Sequence, residues 1–316
     1  MRIFLDGCGN HPVIKRLIPE WLALNVGCSK KPEGCDVQLS LIAIKNKHAD
    51  LPVVLRLDGI YYDKATDYEG RNQRISDSHT VADAVIYQSE FCKKMCERYL
   101  APRMPFALHK VIYNGMKRDW AGPHIEDKYF NIVVLANWRR HKRLPEIESV
   151  FWSYCSLNDN ARLHVFGNTL DHVKDTHPFI TYYGHCTEEQ MASVFQKADA
   201  SLHLSKKDCC PNSVVEAITA GVPVITTAAC GGAVELCNIA CGCHVVEEKD
   251  VPDPCYHYED EYNRLHLATQ YKLISILGAL GDSANICAAV DHPKELTIEY
   301  MAREYLKVLR EVQYGL

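Results

Sequence analysis

Ser205-Lys206-Lys207-Asp208-Cys209-Cys210-Pro211-Asn212-Ser213-Val214-Val215-Glu216-Ala217-Ile218-Thr219-Ala220-Gly221-Val222-Pro223-Val224-Ile225 decides how this chain is read. An apolar run, Ala200–Leu204, precedes it and reads as a strand. The segment then offers an acid, crosses a Pro-Asn-Ser turn, opens a helix over Ser213–Ala220 and stops at Gly221 before the next strand, Val222–Thr226. Asn212 or Ser213 is placed to N-cap that helix, whose first backbone N–H groups form an anion site. Glu216, one turn inside, points the same way as the helix start, so one helix end can hold a diphosphate while its glutamate accepts hydrogen bonds from ribose hydroxyls.

Working outward, the same strand–helix alternation fills the 316 residues, the pattern of parallel sheets covered by helices. Before the linker-like stretch Lys117–Lys128 the spacing predicts strands at Arg2–Leu5, Asp36–Ile44, Val53–Leu57, Ala84–Gln88 and Lys110–Tyr113. Helices follow at Val13–Asn25, Gln73–Ala82 and Glu90–Tyr99, the last capped by Ser89, with Tyr61–Arg71 read as a loop. After the linker, strands are expected at Ile132–Ala136, Arg162–Phe166, Ile180–Tyr183 and His244–Val246, and helices at Pro145–Leu157, Glu188–Ala198, Ala233–Cys237, Asn263–Leu280 and Pro293–Val312. The class is α/β, two Rossmann-like doubly wound lobes facing one another across a cleft. They divide as residues 1–120, 121–290 and a C-terminal helix, 291–316, that packs back on the first lobe.

Composition excludes several classes. Hydrophobic residues at 47% and charged residues at 24% are those of a globular chain, not of a fibrous or disordered one. No run approaches a membrane span and Met1 opens into a strand, so a cytoplasmic protein is expected. Residues 1–120 carry a net charge of +4 and residues 121–316 of −9, without a basic-aromatic stripe; nucleic acid is not an expected partner. The fifteen cysteines read as reduced thiols. Cys230, Cys237, Cys241, Cys243 and His244 do not form paired short knuckles, so no metal site is expected there. Helix Val13–Leu24 places Ile14, Leu17, Ile18, Trp21 and Leu22 on one side; core packing is its reading, with at most weak peripheral membrane contact.

Two loops complete the chemistry. Asn137-Trp138-Arg139-Arg140-His141-Lys142-Arg143 follows the first strand of the second lobe; its crowded cations call for an anion, and a nucleotide diphosphate suits both the lysine point charge and the arginine fork. Asp6-Gly7-Cys8-Gly9-Asn10-His11-Pro12 follows the first strand. A dinucleotide fingerprint fails there because the third glycine position is Pro12, which leaves a turn that lets a ligand approach the backbone. Asp58, ending Val53–Leu57, either contacts a sugar or caps the next turn.

Asp208 and, eight positions on, Glu216, then Ala217-x-x-x-Gly221-x-Pro223-Val224-Ile225 and Gly231-Gly232-x-x-Glu235, resemble the E-x7-E region of retaining GT-B glycosyltransferases of family 4, the glycosyl transferases group 1. Val133–Arg143, Val165-Phe166-Gly167, Tyr182-Tyr183-Gly184, Ile86–Phe91 and Val111–Met116 are similar to further segments of that family. The resemblance covers most of residues 53–237. It implies a nucleotide-sugar donor, with Lys142 and Arg139 or Arg140 on the diphosphate, Glu216 on the ribose and Asp208 on a sugar hydroxyl. Asn212, Ser213 and Val214 would offer backbone N–H groups, Gly184 would lie at the donor pocket, and Gly7 and Gly9 would face the donor across the cleft. Catalysis would rest on Asp208, Lys142 and Asp58, with retention of configuration, no cofactor, no essential metal, and a glycan or lipid-linked or protein-linked acceptor.

The chain departs from the family in three places. The first acid of the pair is Asp208, one methylene shorter; Ala136-Asn137 replaces a Gly-Arg pair; and Arg56-Leu57-Asp58-Gly59 stands where a first-lobe histidine is frequent. The alternatives are a nucleotide-sugar 2-epimerase of the same fold and a non-catalytic protein that binds sugar nucleotides or glycans.

Overall fold

The computed structural model describes residues 1–63, 66–100, 107–169, 177–248, 264–282 and 290–315. The chain divides into two compact units: one holds Met1–Lys117 and the chain from Lys294 onward, the other the described stretch from Arg118 to Pro293.

The first unit is a six-stranded parallel sheet of β1 (Arg2–Leu5), β2 (Gly27–Ser29), β3 (Val37–Leu41), β4 (Val53–Leu57), β5 (Ala84–Tyr87) and β6 (Leu108–Val111), in the order β2-β1-β3-β4-β5-β6. Helices α1 (Pro12–Ala23), α2 (Tyr68–Val81) and α3 (Glu90–Tyr99) make its crossovers, and α9 (Ile298–Tyr314) returns to it. Strands β3 and β4 are buried along their whole length, which requires covering on both faces. Part of that cover is α9, which packs on α1: Trp21, fully buried, donates from Nε1 to Ala302 O at 3.2 Å and meets the Tyr305 ring at 6.2 Å. Core packing is therefore what α1 does with Ile14, Leu17 and Trp21, whereas Leu22 is 57% exposed and off that face.

The second unit repeats the plan with β7 (Phe130–Leu135), β8 (Ala161–Phe166), β9 (Ile180–Gly184), β10 (Ala200–His203), β11 (Val224–Thr227) and β12 (His244–Val246), in the order β12-β11-β10-β7-β8-β9. Its helices are α4 (Leu144–Cys155), α5 (Glu188–Phe195), α6 (Asn212–Thr219), α7 (Gly232–Ile239) and α8 (Leu267–Gly281). In each sheet the chain builds outward in one direction and then reverses, between β1 and β3 in the first unit and between β7 and β10 in the second. At such a reversal the two loops leaving the carboxyl ends of the strands diverge and leave a crevice, the usual ligand site of open α/β sheets.

Several elements differ from expectation. The stretch read as a loop over Tyr61–Arg71 already contains the first turns of α2, because Asp67 caps it by accepting Gly70 N–H at 3.0 Å; α2 buries Asn72, Ser78 and His79 beside Ile75, which hides its period from a hydrophobicity reading. Strand β2, three residues at the sheet edge, was not foreseen. The expected helix Asn263–Leu280 is seen as α8 from Leu267; Asn263 lies outside the described residues. Among the described residues no helix is long and apolar enough to cross a membrane.

Candidate functional site

The β7/β10 crevice brings together the two segments that the sequence singles out. From β7 the chain runs through Asn137 and the exposed Arg139 and Arg140 into a 3-10 turn, Arg140–Lys142. From β10 it runs through Ser205 and Lys206 to Asp208. The loops are tied by Lys206 N–H donating to His141 O at 2.9 Å. Across them Lys142 Nζ donates to Asp208 Oδ2 in an ion pair whose partners are 19% and 17% exposed.

Burial tends to raise the Asp208 carboxyl, but Lys142 and His203 outweigh it and hold Asp208 below the ordinary carboxylate value. His203 ends β10 with its side chain buried; its Nε2 lies 3.8 Å from Asp208 Oδ2 and its Nδ1 3.3 Å from Ser213 Oγ. Desolvation pushes this imidazole down to about 4, against the pull of Asp208, so it is neutral at neutral pH. Burial likewise brings Lys206 down to about 8, helped by Arg143 and opposed by Glu248.

Helix α6 opens beside this pair, one residue earlier than its expected start. Its N-cap is Pro211, extended at φ −65° and ψ 120°, and not Asn212 or Ser213, the candidates read from the sequence. Asn212 becomes the first helical residue, and the Ser213 hydroxyl is directed to His203 instead of capping. The Val214 N–H is engaged with Pro211 O at 3.1 Å, within the turn. Glu216 is 5% exposed, and its carbonyl takes Trp120 Nε1 at 2.8 Å. Gly184 ends β9 in a left-handed conformation, φ 64°, with its carbonyl bonded to Gly167 N–H at 2.7 Å.

The glycine at 232 is a packing requirement. Its N–H donates to Asp208 O at 2.7 Å, and a Cβ there would fall inside the van der Waals envelope of the Cys209 carbonyl oxygen. The Gly231-Gly232 pair thus lets the α7 start support the loop that carries Asp208.

Arg143 does not join the loop's exposed cations. Its side chain is fully buried and grips Glu248, just past β12, with Nη2 to Oε1 at 2.5 Å and Nη1 to Oε2 at 3.1 Å; Thr227 Oγ1 adds a bond to Oε2 at 2.7 Å. Sequence reading missed this partnership, and the buried His203, because no local pattern marks them.

Three of the four cysteines named above, Cys230, Cys237 and Cys243, make structural contacts. Cys230 lies against His203 O at 3.3 Å, Cys237 and Cys243 share a thiol hydrogen bond, and Cys241 is exposed. Among the described residues no group of three or more His, Cys, Asp or Glu has the geometry of a metal site.

The remaining candidates belong to the first unit. Asp58, past the end of β4, is bound by Arg56 Nη1 and lies 3.8 Å from His11 Nε2. Arg56 is buried and also donates to Asn114 Oδ1 at 2.8 Å and Gln88 Oε1 at 3.1 Å, while Gln88 Nε2 holds the Asp58 carbonyl at 2.8 Å. A buried arginine was not among the partners weighed for Asp58. Gly7 has φ 66° with the Lys45 side chain over it, and Gly9 follows in the same turn. Buried Asp6 ties that turn to the β3 loop by accepting Lys45 N–H at 2.7 Å and the Ser40 hydroxyl at 2.9 Å.

With this geometry in hand, comparison with known proteins becomes informative. Residues 117–251 match the family model of Glycosyl transferases group 1. Solved structures match over nearly the whole chain. The fold is GT-B. The structure of Anabaena Alr3699/HepE in complex with UDP and glucose superposes with a TM-score of 0.63 at 14% identity, covering 99% of this chain and 98% of that one. The GtfA/B complex gives 0.60 at 11% identity, covering 88% of this chain and 57% of that one, so the chain spans little more than half of that protein's length. The sucrose-phosphate synthase of Thermosynechococcus elongatus gives 0.59 at 14%, covering 90% and 72%. No curated protein matches the chain by sequence. The GT-B fold accounts for two sheets of like plan in one chain, with Lys142 and Asp208 at the crevice of the second.

Proposed function

We propose that this chain is a glycosyltransferase that takes a sugar from a nucleoside diphosphate donor and passes it to an acceptor hydroxyl. The observation that carries the reading is the contact of Lys142 with Asp208 at the β7/β10 crevice, beside the start of α6, in the segment that matches the group 1 family model. The match of the fold to Anabaena Alr3699/HepE, seen in complex with UDP and glucose, supports it.

Lys142, with Arg139 or Arg140, takes the donor diphosphate; Glu216 takes the ribose; Asp208 takes a sugar hydroxyl. As the bond from the anomeric carbon to the phosphate oxygen breaks, negative charge grows on the leaving diphosphate. Fixed cations aimed there lower the barrier. In the retaining course the acceptor oxygen bonds to the anomeric carbon on the face the phosphate leaves, and the departing phosphate receives the hydroxyl proton. No protein base and no metal ion are required for that step.

A screen of nucleotide sugars for thermal stabilisation identifies the donor, since a ligand at about 100 times its dissociation constant adds about 2.7 kcal/mol. Transfer followed by NMR of the product's anomeric proton tests retention, and activity that survives EDTA tests the metal-free course. Sugar isomerised without acceptor indicates a 2-epimerase; donor bound without any turnover indicates a binding protein.

A further inference from the structure

We propose that Arg143 and Glu248 form a positioning pair that sets where Lys142 presents its ammonium group, so that the nucleotide site depends on a buried contact at the end of β12. This rests on the reading of Lys142 as a diphosphate ligand.

Arg143 directly follows Lys142 and is held in a left-handed conformation, φ 57° and ψ 40°, in which a non-glycine residue persists only when its surroundings over-determine it. What determines it here is the side chain. With no exposure, the guanidinium is fixed by two parallel bonds to Glu248, and its Nη1 also lies 3.5 Å from Leu204 O at the end of β10. Glu248 is held in turn by the Thr227 hydroxyl at the end of β11. One bidentate pair therefore ties the end of the loop that leaves β7 to the ends of three adjacent strands, β10, β11 and β12.

The backbone turn that buries Arg143 also fixes its neighbour. Arg143 N–H closes the 3-10 turn on Arg140 O at 3.1 Å and Arg143 O starts α4 by accepting Ile147 N–H at 3.0 Å, so Lys142 lies between an anchored residue and a closed turn. A lysine has four rotatable side-chain bonds; the fixed backbone sets the point from which they reach, and Asp208 holds the ammonium at the far end. Lys206, buried in the same cluster, adds a second link through its N–H on His141 O.

The test uses the intact protein with UDP and inorganic pyrophosphate as calorimetric probes. Arg143→Lys keeps the charge but loses the fork, Glu248→Asp withdraws the carboxylate by one methylene, and Thr227→Val removes one supporting bond. Each folded variant should bind the probe more weakly, Arg143→Lys by on the order of tenfold or more, because small misplacements of a binding group are costly. In a Lys142→Ala background the same substitutions should have no further effect on binding. Variants that fold, bind like wild type, and stand beside a Lys142→Ala protein that binds poorly would overturn the positioning role alone.

Wild type that binds no nucleoside diphosphate at all would instead overturn the functional reading, and a ligand-free cycle then decides the pair's role. Lys142→Met and Arg143→Lys should be non-additive in urea denaturation if Arg143 places Lys142 against Asp208. Strict additivity would remove that link.

Discussion

Lys142 and Asp208, 66 residues apart in the chain, are ion-paired across the two loops that diverge from β7 and β10. The pair gives each side chain a partner before any ligand arrives, and a diphosphate would compete with Asp208 for the ammonium group. The two residues should therefore respond differently to substitution.

Lys142→Ala should weaken nucleoside diphosphate binding by about 1.5–3 kcal/mol, the range for a charge-assisted hydrogen bond. Asp208→Asn should not weaken nucleoside diphosphate binding, and should tighten it where the freed Lys142 gains, while lowering turnover or donor affinity, because the carboxylate serves the sugar and otherwise competes for Lys142. Glu216→Gln should weaken nucleotide product and donor alike. Calorimetry with both ligands separates the three; equal losses for Asp208→Asn and Glu216→Gln on plain nucleoside diphosphate would refute the assignment of Asp208 to the sugar.

Gly232→Ala should move the Asp208 loop, because the added methyl meets the Cys209 carbonyl, a backbone atom that cannot rotate away. Loss of activity together with a stability loss of roughly 1–3 kcal/mol is expected, the range for an overpacked site. Ala at Gly184, where a Cβ meets nothing within 4 Å, adds only the strain of its left-handed backbone and serves as the control. Similar stability for the two variants would contradict the packing argument.

Stability should fall as pH drops from 6.5 toward 4. His203 stays neutral in the folded protein down to about 4, whereas in the unfolded chain it protonates near 6.5, so between these values the unfolded state holds more protons and stability rises with pH. The neighbours acting on it are Asp208, Lys142 and His141, with Ser213 on Nδ1. The contribution is on the order of 3 kcal/mol. Asp208 and Glu248 are held below their ordinary values and lose their stabilisation only as pH falls further. Urea midpoints for wild type and His203→Gln across this window should converge at low pH; parallel curves would exclude His203 as the cause.

Trp21→Ala should destabilise the first unit by about 3–5 kcal/mol, since it empties a fully buried site and leaves Ala302 O without its donor. Limited proteolysis should then cut within the chain from Lys294 onward. Unchanged resistance would show that α9 is held without that contact.

Much of this molecule was legible wherever local signals decide. Strand β4 and helix α3 occupy the residues read for them, because a short run that is apolar but for Arg56 and a serine three residues ahead of Cys92 N–H act within one strand or one turn. Helix α2 was under-read because histidine, serine and asparagine fill its buried face, satisfied by partners that no period reveals. His79 Nε2, for example, meets the Tyr87 hydroxyl at 2.9 Å. The basic loop was recognisable as a cation cluster, yet nothing in it distinguishes Arg143, which turns inward, from Arg139 and Arg140, which stay exposed.

The order of residues alone determined the alternation of strands and helices and the two loops whose acids and cations define the candidate site, because each depends on periodicity, turn chemistry or adjacency. Only the tertiary structure decided which charges meet: Lys142 with Asp208, Arg143 with Glu248, Arg56 with Asp58. A buried charge must find a partner within a few ångströms. For the first two pairs that partner is 66 and 105 residues away, and for Arg56 the supporting Gln88 and Asn114 are 32 and 58 residues away. Strand order fixes those separations in space, and strand order follows from how whole sheets pack.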